Sequence, residues 1–233
     1  MQHFIFLIAL FQAALANPPC PTEFITTSAK FPPDSDALTP LAQNYTCDLK
    51  FDVPVGYMLK FTTNAVLPIV YHMEINLFIA GEFMQVPPGI AVNYAPASPT
   101  TLSMRILQHG VRFFVDYEYI NVQGYNQIIK KTGDFTIINY PSTSFVTFQS
   151  DAQDTIELEY ASSLVNDTTP FYVYVYDGAD LTAPFVARLN VVANIWPMVT
   201  NSESNITIAN FYGMNSKTYL IANNFHSRFQ KLW

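Results

Sequence analysis

The stretch Asn44-Tyr45-Thr46-Cys47-Asp48-Leu49-Lys50-Phe51-Asp52-Val53-Pro54-Val55-Gly56-Tyr57 decides the fold class. Cys47, Leu49, Phe51 and Val53 alternate with Asp48, Lys50 and Asp52. Successive strand side chains point to opposite faces, so this run reads as a half-buried strand with one wet face. A proline and a glycine end it, and a second strand follows over Met58–Thr62. The same period of two recurs outward along the chain. Tyr71, Met73, Ile75 and Leu77 alternate with His72, Glu74 and Asn76, and Val111 to Tyr119 repeats the pattern. Ile156, Leu158 and Tyr160 oppose Thr155, Glu157 and Glu159, and Phe171, Val173 and Val175 oppose Tyr172, Tyr174 and Tyr176. Turn chemistry such as Pro87-Pro88-Gly89 and Asp177-Gly178 separates these runs, and no amphipathic helix longer than three turns stands between them. Short strands with such joints predict an all-β protein built from antiparallel sandwiches.

Composition removes several function classes. Half of the 233 residues are apolar, 15% are aromatic and 12% charged, which excludes general disorder. The formal net charge is −7, and the 11 Lys and Arg residues are scattered, so no basic stripe exists to neutralise nucleic-acid phosphates. Residues 1–16, MQHFIFLIALFQAALA, read as a signal peptide cleaved after Ala16. The apolar run is short of the roughly 20 residues of a membrane span, so a secreted, extracellular product without a membrane span is expected. Cys20 and Cys47 are the only cysteines, and in an oxidising compartment a disulfide is the default, with a reactive thiol or a metal pair as alternatives. Sequons at Asn44, Asn166 and Asn205 make an N-linked glycoprotein the expectation.

Two domains are expected. Alternation lapses between residues 120 and 132, and Ile75–Glu82 can be laid over Val173–Asp180, each a strand running into a glycine turn with an acid beyond. The offset is roughly 100 residues, the length of a small sandwich.

The stretch from Asn44 to Tyr57, with its Val-Pro-x-Gly-Tyr end, resembles the start of a CUB domain, and most closely the CUB-like domain of secreted nematode proteins. Tyr172-Val173-Tyr174-Val175-Tyr176-Asp177-Gly178 looks like the family's strand-to-turn element, and 181–189 and 205–211 are similar to its closing strands. The resemblance implies tandem jelly-roll sandwiches, with the family's first disulfide falling on Cys20 and Cys47. The domains would be a signal peptide at 1–16, a CUB-like domain at 17–119, a linker at 120–132, a second CUB-like sandwich at 133–225 and a tail at 226–233. Calcium-binding CUB modules carry acids where this chain has Thr169-Pro170 and Asn210-Phe211, or Val70-Tyr71 and Gln108-His109-Gly110 in its first half. The resemblance thus implies the fold without metal or other cofactor. It also implies a binding or interaction scaffold of the kind associated with innate defence and stress.

The residues themselves offer little chemistry. His72 beside Glu74 reads as a solvated pair, His109 as a turn residue and His226 as part of a frayed tail; no zinc spacing or nucleophile elbow is present. Glu157 and Glu159 share a strand face, with Asp151 and Asp154 upstream, and read as an exposed sandwich face rather than an acid–base pair. Tyr172, Tyr174 and Tyr176 stand opposite the apolar set, either as a second packed face or domain contact, or as a ligand surface. The reading is a secreted non-enzymatic protein binding an extracellular glycan or protein. A purely structural secreted glycoprotein, or a divergent carbohydrate-active enzyme, are the alternatives. Because the acidic ligands are replaced, millimolar calcium should leave the melting temperature where a chelator leaves it. A calcium-dependent rise would show that the loops carry ligands elsewhere.

Overall fold

The computed structural model describes residues 17–68, 74–96, 99–150, 155–162, 168–192, 198–199, 204–213 and 218–224. The expected signal peptide, His72, His226, Asn166, Asp151 and Asp154 lie outside these residues. Two compact units meet in sequence between Ile120 and Asn121.

The first unit contains β1 (Ala29–Phe31), β2 (Thr39–Pro40), β3 (Thr46–Phe51), β4 (Tyr57–Val66), β5 (Ile75–Ile79), β6 (Glu82–Gln85), β7 (Gly89–Ala95), β8 (Thr100–Arg105) and β9 (Arg112–Asn121). One sheet runs β3-β8-β5-β6 and the other β1-β9-β4-β7, with β2 also on β9. β3 sends Cys47, Leu49 and Phe51 inward, all essentially buried. Phe51 bridges the two sheets, its ring meeting Phe61 of β4 and Tyr117 of β9 edge-on with centroids 5.0 Å apart in both cases. Fully burying one such side chain contributes about 1.5–3 kcal/mol. The segment before β1 is fastened along β3. Cys20 is bonded to Cys47, 27 residues on, with Cα atoms 5.5 Å apart. Ile25 then donates to Lys50 O at 2.8 Å and accepts from Asp52 N at 3.1 Å, a short parallel bridge that covers the β3 edge. Closing a loop of that length stabilises the fold by about 3–4 kcal/mol through lost unfolded-state entropy.

The second unit contains β10 (Asn126–Lys131), β11 (Phe135–Ile137), β12 (Ser144–Gln149), β13 (Ile156–Ser162), a 3-10 turn (Thr169–Tyr172), β14 (Tyr174–Tyr176), β15 (Phe185–Arg188), a one-turn helix (Leu189–Val192), β16 (Met198–Val199), β17 (Asn205–Ala209) and β18 (Thr218–Asn224). Its sheets run β10-β12-β17-β14-β15 and β11-β18-β13-β16. Val146, Phe148, Val175, Ile206 and Ile208 from one sheet share a core with Ile156, Leu158, Leu220 and Ala222 from the other. The connectivity repeats that of the first unit. Reading β12, β17, β14, β15 for β3, β8, β5, β6, and β11, β18, β13, β16 for β1, β9, β4, β7, gives the same strand order in both sheets. Even the parallel bridge of Ile25 to β3 has a counterpart, because β10 pairs parallel to β12.

The structure differs from the sequence expectation at definite places. The expected linker over 120–132 is mostly strand: β9 reaches Asn121 and β10 occupies Asn126–Lys131. Asn126-Gln127-Ile128-Ile129-Lys130-Lys131 lacks a clean alternation because β10 is an edge strand, with Ile129 exposed and only Ile128 packed on the core. The β10–β12 pair is parallel, so the second sandwich is not wholly antiparallel. Phe171 is 49% exposed rather than core, since Thr168, Thr169 and Pro170 start a 3-10 turn, with Phe171 N bonded to Thr168 O at 3.0 Å. Proline's fixed φ suits the first helical positions, and the strand starts only at Tyr174.

The β5–β6 hairpin turns on Ala80 and Gly81, with φ of 47° and 89°. A two-residue turn with both central φ positive favours Asn before Gly, and alanine there is strained. Ala80→Asn should therefore stabilise the protein by about 0.5–1 kcal/mol, read as a higher denaturation midpoint. A lower midpoint would contradict the turn assignment.

Candidate functional site

The tyrosine row does not form a surface. Val173 and Val175 point into the shared core, and Tyr174 and Tyr176 point the other way, as alternation requires. That other face is nevertheless closed: Tyr174 is 0% and Tyr176 2% exposed. Tyr174 packs on Phe185 and Phe211, and Tyr176 on Phe185. Tyr172 sits in the 3-10 turn, half-buried, with its ring 4.6 Å from that of Tyr212. The segment that follows β14 folds back over the same sheet. Gly178 O accepts from Thr207 Oγ1 at 2.8 Å, while Ala179 O accepts from Thr147 Oγ1 at 3.0 Å and Gln127 Nε2 at 2.8 Å. Gly178, at φ 150°, is required there, because a Cβ on it would lie 2.6 Å from Ala183 Cβ. Burial pushes the Tyr174 and Tyr176 phenols well above their ordinary range.

The carboxylates are also placed differently. Glu157 is 2% exposed, so the face it shares with Glu159 is not a wet one. β13 lies between β18 and β16, and a central strand can have both faces covered. Glu74 is not a solvated partner of His72; it is fully buried. Its carboxylate accepts from Leu107 N, Gln108 N and Gln108 Nε2 at 2.8, 3.1 and 3.0 Å, which satisfies the charge and pins the loop after β8. Of the proposed calcium positions, Thr169 is buried in the 3-10 turn, and buried Asn210 accepts from Tyr212 N through Oδ1. Asn44 is exposed at φ 68° with Thr46 exposed beside it, whereas Asn205 is half-buried and the hydroxyl of its sequon partner Thr207 is held by Gly178 O.

An open sheet face lies in the first unit, on the side of β3-β8-β5-β6 away from the core. Register lines its residues into rows. Asp48, Ser103, Asn76 and Gln85 stand side by side across the four strands. Lys50, Thr101, Phe78 and Phe83 form the next row. Phe78 and Phe83 are 38% and 46% exposed, and their rings meet edge-on with centroids 5.6 Å apart. Arg105, paired with Thr46, donates to Asp48 Oδ2 at 2.7 Å and to Met104 O at 2.8 Å. The Arg105 hydrogen bond holds the Asp48 carboxyl below its usual range, so the pair stays ionised in mild acid. At the β3 end the face opens into a shallow cleft of about 430 Å³, where Thr22, Thr46, Asp48, Lys50 and Arg105 surround the disulfide. The face therefore has an aromatic end, a polar middle and a charged end. Sequence alternation had already placed Asn76 opposite Ile75 and Leu77; the row it joins depends on register with β6 and β8, and within that row Asn76 and Ser103 are buried while Asp48 and Gln85 are half-buried.

Fold and face together describe a tandem β-sandwich protein whose first unit carries exposed aromatic and charged side chains on the outer face of one sheet. Residues 16–123 match the family model described as CUB-like domain, so the first unit is a CUB-like domain. Modules of that family are extracellular binding and interaction modules. No curated protein matches the chain. Among solved structures it is similar to the CUB1-EGF-CUB2 domains of rat MASP-1, at 10% identity and a TM-score of 0.30, covering 86% of this chain and 100% of that one. It is also similar to the CUB1-EGF-CUB2 domain of human MASP-1/3, at 13% identity and a TM-score of 0.30, covering 79% and 95%.

Since Tyr174 is core, Tyr174→Ala should cost about 3–5 kcal/mol of stability, as large-to-small aromatic truncations do. An unchanged melting temperature would return the tyrosine row to the surface.

Proposed function

We propose that this is a secreted, non-enzymatic binding protein that recognises a glycan on the outer face of β3-β8-β5-β6. The observation that carries the reading is the pair of exposed rings, Phe78 and Phe83, set in register with polar side chains on a rigid sheet. A sugar ring has an apolar face of C–H bonds and a rim of hydroxyls. Exposed phenyl rings offer the matching apolar surface, while hydroxyls need donors and acceptors mixed at close spacing. The Lys50 ammonium and the Gln85 amide supply donors, and Asp48 Oδ2, Thr101 and the Gln85 amide oxygen supply acceptors. Strand-borne side chains are held in place before the ligand arrives, which lowers the entropy cost of binding.

The repeated strand order supports a second reading about the chain as a whole: the unit from Asn121 onward is a diverged copy of the CUB-like sandwich. In that copy the equivalent sheet face is occupied by the protein's own Gly178–Ala179 segment, which leaves recognition to the first unit. A microbial-surface or host glycan would suit a defence role of the kind the family resemblance implies.

The test is a glycan-array screen of the secreted protein, followed by the double variant Phe78→Ala/Phe83→Ala. Losing two stacking rings should weaken capture of the best array glycan at least tenfold, about 1.4 kcal/mol. The melting temperature should change little, because both side chains are exposed. Undiminished capture by the double variant, or capture of no glycan at all, would contradict the reading.

A further inference from the structure

The outer face of β3-β8-β5-β6 carries more positive than negative charge, although the formal net charge of the chain is −7. Its described charged side chains are Asp48 and Lys50 of β3 and Arg105 of β8. Glu82 of β6 is level with Ile79, a core residue, and so stands on the other side of the sheet. Asp52 follows the end of β3 and lies within electrostatic reach of Tyr119 on β9. Arg105 and Asp48 neutralise each other through their 2.7 Å contact, which leaves the Lys50 ammonium as the surplus charge.

Lys50 differs in this from the other lysines of the first unit. Lys30 is paired with Asp36 and Lys60 with Glu118, whereas Lys50 has no ion-pair partner among the described residues. Register fixes where its charge stands relative to the rings. Lys50, Thr101, Phe78 and Phe83 lie side by side in one row across the four strands. At the ordinary strand spacing Lys50 and Phe78 are about 10 Å apart along the backbone, with only the short Thr101 side chain between them. A disaccharide laid across the strands covers such a separation. Thr22 and Thr46 line the cleft beside Lys50, and their hydroxyls can donate to an anionic group seated there.

We infer that the ligand of this face is an acidic glycan, with one sugar ring on Phe78 and Phe83 and the carboxylate of a neighbouring sugar against the Lys50 ammonium. The inference rests on the glycan reading proposed above and adds a charge requirement to it. The acids elsewhere on the chain do not cancel that preference, because at physiological salt charges farther away than about 8 Å are largely screened. An exposed ion pair contributes a few-fold in affinity and not more. The rings therefore supply most of the hold, and Lys50 decides between glycans that the rings accept equally.

The test is capture by the full chain on an array in which each uronic- or sialic-acid glycan stands beside its methyl ester, at low and at high salt. Wild-type protein should hold the acids about three- to five-fold better than their esters at low salt. The gap should close near about 1 M salt. Lys50→Gln should bind acid and ester alike, and Lys50→Glu should prefer the ester. Both variants should keep a near-native melting temperature, since Lys50 is exposed. Equal capture of acid and ester by the wild type, or an acid preference that survives in Lys50→Gln, would overturn the inference. If Phe78→Ala/Phe83→Ala still loses capture in that case, the glycan face stands and only its charge selectivity falls. Capture indifferent to both phenylalanines, or no capture at all, would remove the face itself and this inference with it.

Discussion

Everything in this protein depends on the alternation of side chains along its strands and on what lies over each of the two faces that alternation creates. A sandwich buries one face of each sheet by construction. In the first unit Phe51 secures this with two edge-on contacts that reach β4 and β9 of the opposing sheet. The other faces are free to be wet or to be covered, and the two units differ in that choice. In the first, the outer side of β3-β8-β5-β6 keeps Phe78, Phe83, Lys50 and Arg105 in solvent. In the second, the corresponding sheet carries Tyr174, Tyr176, Thr147 and Thr207, and the Gly178–Ala179 backbone is hydrogen-bonded across them. The same sheet of the fold is thus open in one unit and covered in the other.

This difference explains what could be read from the sequence. The strand from Thr46 to Phe51, the opposed directions of Val173/Val175 and Tyr174/Tyr176, and the Cys20–Cys47 bond follow from local pattern and cysteine count. The covering of Tyr174 and Tyr176 does not, because it comes from Phe185 and Phe211 and from the backbone after β14 folding back onto Thr147 and Thr207. Periodicity states where a side chain points and is silent on what it meets. Glu157 and Glu74 teach the same lesson. Both stand at polar positions of alternating runs, yet one lies in a central strand and the other is enclosed by the N–H groups of a loop. The open face was invisible for a complementary reason: Phe78 and Phe83 belong to different strands, and only the tight Ala80-Gly81 turn brings them side by side. The doubled architecture was more legible, since a glycine turn after β5 and after β14 marks equivalent hairpins. The second of these is closed by Asp177 N donating to Pro184 O, a longer return that supplies the covering segment.

The central claim is that one outer sheet face is open and its counterpart is sealed. It is tested most directly by solvent paramagnetic relaxation in solution. A soluble, uncharged gadolinium chelate broadens the NMR signals of protons it can approach. The account predicts strong broadening of the Phe78 and Phe83 ring protons, with the Tyr174 and Tyr176 rings protected to the level of Phe51. Equal broadening of the tyrosine and phenylalanine rings, or protection of Phe78 and Phe83, would contradict it.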